Sequence, residues 1–115
     1  MTRSHQELYK GLIRLRILHH AVDGEVYGQW MIDELARHGY TLTPRTIYPM
    51  LDTLERKGYL KSRKKRFGRS FRRLYEATPL GRQALKVINT EVRALFSELI
   101  EGTQAEGQRG DVDEI

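Results

Sequence analysis

The chain has 115 residues, 39% of them hydrophobic and 30% charged, with no cysteine and a formal net charge of +5. That length suits one domain with a modest core, and the lack of cysteine excludes disulfides and thiolate metal sites. No apolar run nears the roughly 20 residues of a membrane span, and the opening "MTRSHQELYK" lacks a signal-peptide apolar stretch, so a cytoplasmic protein off the membrane is expected.

Ser4 with Glu7 reads as a capping box. After it Leu8, Leu12 and Leu15, with Ile13 and Ile17, form a broad apolar stripe, which predicts a first helix to about His20. "AVDGE" breaks it. A second helix is predicted from about Tyr27 to Arg37, with Gly28, Met31, Ile32, Leu35 and Ala36 on one side. "HGYTLT" is a short turn.

The third helix lies in "TPRTIYPMLDTLERKGYL", residues 43–60. Thr43 can cap free backbone N–H groups, Pro44 suits the first helical position, and Gly58 can end the helix left-handed. Ile47, Leu51 and Leu54 share an inward face, which turns Arg45, Pro49, Asp52 and Arg56 outward. Pro49 inside a helix removes the bond to the Arg45 carbonyl, at a cost of roughly 3 kcal/mol. A compact ring on the outward face suggests a kink that aims the helix start; the alternative is that Pro49 merely truncates the helix.

Residues 61–73, "KSRKKRFGRSFRR", hold eight Lys or Arg and no acid. A hairpin is predicted around Gly68. Strand alternation puts Lys64 and Arg66 on one face and Lys61, Arg63 and Lys65 on the other, so only the base, near Leu60, Leu74 and Tyr75, can meet a core. Such a hairpin repels itself unless phosphates neutralise it. Thr78-Pro79 repeats the cap-plus-proline start, and a fourth helix is predicted to about Ile100. In it Leu85, Ile88, Val92, Leu95 and Leu99 follow a 3, 4, 3, 4 spacing, widened by Ala84, Phe96 and Ile100, as a dimer seam would. Residues 101–115 carry five acids and one base, a net −4 that leaves +9 on residues 1–100, and read as a disordered acidic tail.

Helix, turn, helix and basic hairpin is the order of a winged helix-turn-helix, in which the second helix of the pair enters the major groove. The fold class expected is mainly α with a small antiparallel β-hairpin: a winged helix-turn-helix over residues 1–78, a C-terminal dimerisation helix over 79–100, and the tail over 101–115. Candidate DNA-contacting residues are Tyr27; Thr43, Arg45, Thr46, Tyr48 and Pro49 at the third helix; and Lys64, Arg66, Arg69 and Arg72 of the wing. Candidate dimerisation residues are Leu85, Ile88, Val92, Leu95, Phe96 and Leu99.

Tyr27-Gly28, then "TPRTIYPMLDTLERKGYL", then "YEATPLG" resemble the PadR family of bacterial transcriptional regulators across residues 8–85. The family pattern is a Tyr-Gly pair opening the second helix, a recognition helix carrying Thr-Leu-Tyr-Pro, and Tyr-x-Leu-Thr-x-x-Gly closing the wing. Ile47 and Ala77 replace two of its leucines. The resemblance implies a dimeric winged-helix regulator, usually a repressor, of a shorter type with one C-terminal helix, some of whose members respond to hydrophobic drugs or phenolic acids. The expected partners are double-stranded DNA with a pseudo-palindromic operator, a second copy of the chain, and a hydrophobic or aromatic effector held between fourth helices by Leu95, Phe96 and Leu99.

Other chemistry is sparse. His19, His20 and nearby Asp23 are the one candidate for a surface metal, and solvated histidines are the better reading. With no Ser/His/Asp spacing, no phosphate-binding Gly loop and no carboxylate pair in an apolar setting, neither an enzyme nor a cofactor is expected. Two rival readings stay open: a winged helix binding RNA or protein without an operator, which leaves the outward Arg45-Thr46 unexplained, and a membrane-surface protein, which lacks an apolar insertion face.

Overall fold

The computed structural model describes residues 5–113, with side chains described for residues 5–102. In chain order it has α1 (Gln6–Asp23), β1 (Val26–Tyr27), α2 (Gly28–Arg37), α3 (Pro44–Arg56), β2 (Leu60–Phe67), β3 (Ser70–Ala77) and α4 (Pro79–Asp113). Of the described residues, those up to Leu85 form one compact unit and those from Lys86 onward a second. Ser4, and with it the expected capping box, lies outside the described residues. The fourth helix does not end near Ile100, and the disordered tail expected over 101–115 is not found where the backbone is described: α4 continues to Asp113, with no proline after Ile100 to stop it.

The first unit is built around one apolar core. Ile13, Ile17, Leu18 and Ala21 of α1 meet Met31, Ile32 and Leu35 of α2 and Ile47, Met50, Leu51 and Leu54 of α3. The α1 stripe therefore divides. Ile13 and Ile17 are buried, while Leu8 (73%) and Leu12 stay exposed. Ala36, expected on the buried side of α2, is exposed, because the core face of this helix is narrow and ends at Leu35.

Both members of the helix pair end the same way. Gly39 (φ +89°) and Gly58 (φ +88°) take the left-handed conformation that side chains disfavour. After α2, the Gly39 N–H donates to the Ala36 carbonyl and the Tyr40 N–H to that of Leu35. After α3, Gly58 and Tyr59 repeat the arrangement on Glu55 and Leu54. The starts differ. Thr78 caps α4 with its hydroxyl, which accepts the Gly81 N–H at 3.0 Å and donates to the Gly58 carbonyl. Thr43 opens α3 with extended backbone and makes no side-chain cap, contrary to expectation; only its carbonyl is used, by the N–H groups of Thr46 and Ile47. Pro49 does not truncate α3, which runs unbroken to Arg56.

The hairpin is joined by a third strand, one that the local sequence pattern does not announce. Two residues, Val26 and Tyr27, pair antiparallel with Tyr75 and Leu74, giving a three-stranded sheet in the order β1-β3-β2. The two-residue turn is Gly68-Arg69, and Gly68 takes φ +59°, which a tight hairpin needs at its first loop position. As expected, Leu60, Leu74 and Tyr75 at the hairpin base are buried. Burial pushes the Tyr75 phenol up to about 12, so the group stays neutral.

α4 begins inside the first unit. Leu85 belongs to its core, and Gly81 lies so close to the Tyr59 carbonyl that no Cβ would fit. In the second unit the helix carries an exposed apolar series that includes Val87, Val92, Leu95, Phe96 (63%) and Ile100. No helix among the described residues is long and apolar enough to cross a membrane.

Candidate nucleic-acid interface

At about 100° per residue, Arg45, Pro49, Asp52 and Arg56 line the crest of α3, and all four are exposed. Thr46, half-buried, stands on one shoulder and Tyr48 on the other. Tyr48 is 38% exposed, but its ring is anchored: a Cβ on Gly28 would lie 2.5 Å from Cε1 and 2.7 Å from the hydroxyl. Gly28 thus opens α2 without a side chain because the recognition-helix tyrosine occupies that space. The two short motifs, Tyr27-Gly28 and Tyr48-Pro49, are one contact in three dimensions. Tyr48 sets the angle between α2 and α3 while presenting its remaining surface beside Pro49.

The register separates the two faces of the wing. Cross-strand partners point the same way, so Ser62, Lys64 and Arg66 share a face with Tyr75, Arg73 and Phe71. That face looks toward α3, because Glu55 of α3 accepts the Ser62 backbone N–H at 3.1 Å and its hydroxyl at 2.8 Å. Arg73 joins the same cluster by donating to the Ser62 hydroxyl at 2.9 Å. Lys61, Arg63, Lys65 and Phe67 lie on the opposite face, with Glu76, Leu74 and Arg72.

The expected one-signed hairpin is therefore neutralised in part from within. Glu25, just before β1, grips Arg63 with two bonds of 2.7 and 3.0 Å. This pairing holds the Glu25 carboxyl below its ordinary value. Lys61 pairs with Glu76 at 3.5 Å. Three acids, Glu25, Glu55 and Glu76, thus serve the base of the wing, and two of them come from outside the hairpin.

Of the four wing cations expected at phosphates, Lys64 and Arg66 lie on the α3 side and Arg69 occupies the turn. Lys64 and Arg69 have no ionic or hydrogen-bonding partner among the described residues, while Arg66 reaches only the Gly68 carbonyl, at 3.0 Å. Arg72 is placed differently. Its guanidinium stands over the rings of Phe67, at 5.0 Å, and Tyr27, at 5.8 Å, and those rings meet edge to face at 5.2 Å. Such cation–π contacts hold a guanidinium in place without neutralising it. Tyr27 and Arg72 thus bind the wing to the start of α2. Thr43, exposed, stands at the entry to α3.

Of the dimerisation candidates, Leu85 is 8% exposed in the core of the first unit, Ile88 is half-buried, and Val92, Leu95, Phe96 and Leu99 are exposed. Leu85 therefore closes its own domain, and the open stripe begins beyond it. Away from the crest of α3, His20 packs edge-on against half-exposed Trp30 at 5.3 Å. Its buried Nε2 makes no hydrogen bond among the described residues, and burial lowers its affinity for a proton. No group of three or more metal-ligating side chains occurs among the described residues.

Comparison with known proteins agrees with this geometry. Residues 17–87 match the family described as "Transcriptional regulator PadR-like family". The chain is 47% identical over 94 residues, 82% of its length, to "Transcriptional regulator Rv3488" of Mycobacterium tuberculosis, of which 84% is covered. Among solved structures, a PadR family transcriptional regulator from Eggerthella lenta superposes with a TM-score of 0.73 at 26% identity, covering 84% of this chain and 85% of that one. A PadR-like transcriptional regulator from Bacillus cereus reaches 0.77 at 23% identity, over 85% and 97%, a likeness of fold. The chain, a winged helix-turn-helix with a basic wing beside an exposed recognition helix, belongs to the PadR-like family of transcriptional regulators.

Proposed function

We propose that this regulator acts as a homodimeric repressor that reads a pseudo-palindromic operator and releases it on binding a hydrophobic or aromatic effector. The observation that carries the DNA half is the crest of α3. Arg45 and Pro49 stand exposed near the helix start, the part of a recognition helix that reaches base edges, with the unpaired cations of the wing tip beside them. An arginine in that position can donate two bonds to guanine. Lys64, Arg66 and Arg69 supply sequence-independent attraction, which the salt dependence of binding reports.

The dimer half rests on α4. An apolar series more than three turns long, open from Val87 to Ile100, is more than a soluble helix carries without a partner. A second copy would cover it in the repeating pattern of a helix pair and set two recognition helices about 34 Å apart, one turn of DNA. A hydrophobic effector would fit between such helices, beside Leu95, Phe96 and Leu99, and would act by binding the DNA-free dimer more tightly than the bound one.

The test is nuclease protection on the DNA upstream of the protein's own reading frame, with Leu95→Glu as the comparison. The wild type is expected to protect two half-sites related by a dyad. Leu95→Glu would bring two carboxylates together at the seam, each costing several kcal/mol to bury. It is expected to sediment as a monomer and to lose protection. A wild type that binds single-stranded RNA and this duplex alike, with no protected site, would favour a nucleic-acid-binding module without an operator.

A further inference from the structure

We infer that α1 supplies a second phosphate clamp, formed by Lys10 and Arg14 beside the base-reading Arg45, on the flank of the recognition helix that faces away from the wing; the inference rests on the DNA-binding reading above. Lys10, Arg14, Arg45, Thr46, Pro49 and Met50 line one shallow groove of about 330 Å³ between α1 and α3.

The position of this groove follows from the helix. Glu55 and Tyr48 occupy one shoulder of α3, the first bonded to wing residue Ser62 and the second resting on Gly28. Thr46 and Thr53 occupy the other shoulder, about 180° from Glu55 and Tyr48 taken together. The groove opens on the Thr46 side. The exposed crest thus runs between two basic surfaces, one made by β2 and β3 and the other by α1.

The charges argue for an anionic occupant. Lys10 and Arg14 are four residues apart, so they share a helix face and repel each other. Arg45 adds a third positive charge to the same groove. None of the three has a carboxylate within ion-pair distance among the described residues, whereas Lys61 and Arg63 at the wing base each do. Groups of like charge left together without counter-ions on the protein lower their energy when a polyanion neutralises them. The polyanion at hand is the DNA that the crest of α3 enters. One strand backbone would meet the wing and the other the α1 groove. Pro49 has a place in this account: its compact ring lines the groove, where a long side chain would fill it.

The experiment uses the full-length protein and a random-sequence duplex of about three helical turns, with binding measured across salt concentrations. Lys10→Gln with Arg14→Gln removes two contacts, so the slope of log affinity on log salt should fall by about 2. The ratio of wild-type to variant affinity should then shrink about tenfold between about 50 and about 200 mM salt. The charge-retaining pair Lys10→Arg with Arg14→Lys should keep the wild-type slope, which a loss of folding or packing would not allow. On the operator duplex that nuclease protection defines, ethylation interference on the wild type should show two clusters of sensitive phosphates flanking the groove that is read. The Gln pair should lose one cluster and Lys64→Gln with Arg69→Gln the other. Overturning results are a Gln pair with the wild-type slope, or one that keeps both clusters, while the wing variant lowers the slope; DNA binding then stands and the clamp does not. A wild type with no salt-dependent duplex binding would overturn both.

Discussion

The base and the tip of the wing have similar compositions and different surroundings. At the base, Lys61, Arg63 and Arg73 are met by Glu76, Glu25 and, through Ser62, Glu55. Toward the tip, Lys64, opposite Arg73 in the middle of the hairpin, and Arg69 in the turn have no such partner among the described residues, and Arg72 is held by two rings that leave its charge intact. Cations at the base hold the hairpin against α3 and β1, and cations at the tip are available to phosphates. Counting basic residues cannot separate these roles, whereas asking which of them have acceptors in reach does.

The largest expected effect lies at the tip. Lys64→Gln with Arg69→Gln should weaken binding to any duplex about fiftyfold at roughly 0.1 M salt and lower the salt slope by about 2. The melting temperature should not change, because neither side chain bonds to the rest of the molecule. A loss of stability, or a slope that stays at the wild-type value, would erase the difference between tip and base. Fluorescence anisotropy on a labelled duplex across salt, with a thermal melt at the same protein concentration, measures both.

At the base the signs reverse. Glu55→Ala removes the acceptor of the Ser62 N–H and hydroxyl and leaves Arg73 without its link to α3. A charge-assisted cluster of this kind, half-buried, is worth about 2 kcal/mol, which lowers the melting temperature of a domain this size by about 10 °C. The salt slope should stay near that of the wild type, since no phosphate contact is removed. A stable Glu55→Ala protein with a changed slope would mean that Glu55 tunes the field at the DNA and does not hold the wing.

Much of this was legible in the sequence, and the exceptions share a cause. The faces of α3, the order of elements and the buried hairpin base follow from periodicity and from Gly and Pro positions, which are local signals. The strand β1 is two residues long, too short for any period to show. The Glu25–Arg63 pair joins residues 38 apart, and nothing in the local pattern of either names the other. Tyr48 is a candidate DNA contact by its place beside Pro49, and its packing on Gly28 follows only when α2 and α3 are set side by side. Leu85 fits the spacing of the α4 seam by its position in the heptad, yet the core of the first unit claims it. Lys10 and Arg14 stand four residues apart, but nothing local to them says that α3 lies across the groove. In each case the missing information is a long-range partner.

The smallest expected effect concerns Glu25, and it tests whether the two faces of the wing differ. Arg63 lies on the face turned from α3, so freeing it with Glu25→Gln should leave the salt slope unchanged; a rise of about 1 would bring DNA against both faces. The stability change should be slight, since exposed ion pairs contribute little. Its pH dependence is diagnostic. The Arg63 guanidinium holds the Glu25 carboxyl below its ordinary value in the folded state, so the unfolded chain takes up the proton first on acidification. The pair's contribution is therefore fully present above the ordinary carboxylate value and is lost as the pH falls through the lowered one. Thermal melts of wild type and Glu25→Gln should differ at neutral pH and converge in acid. Curves that stay parallel from neutral pH into acid would show that the Arg63 contact adds nothing to the stability of the wing, leaving Glu55 as the acid that fixes it.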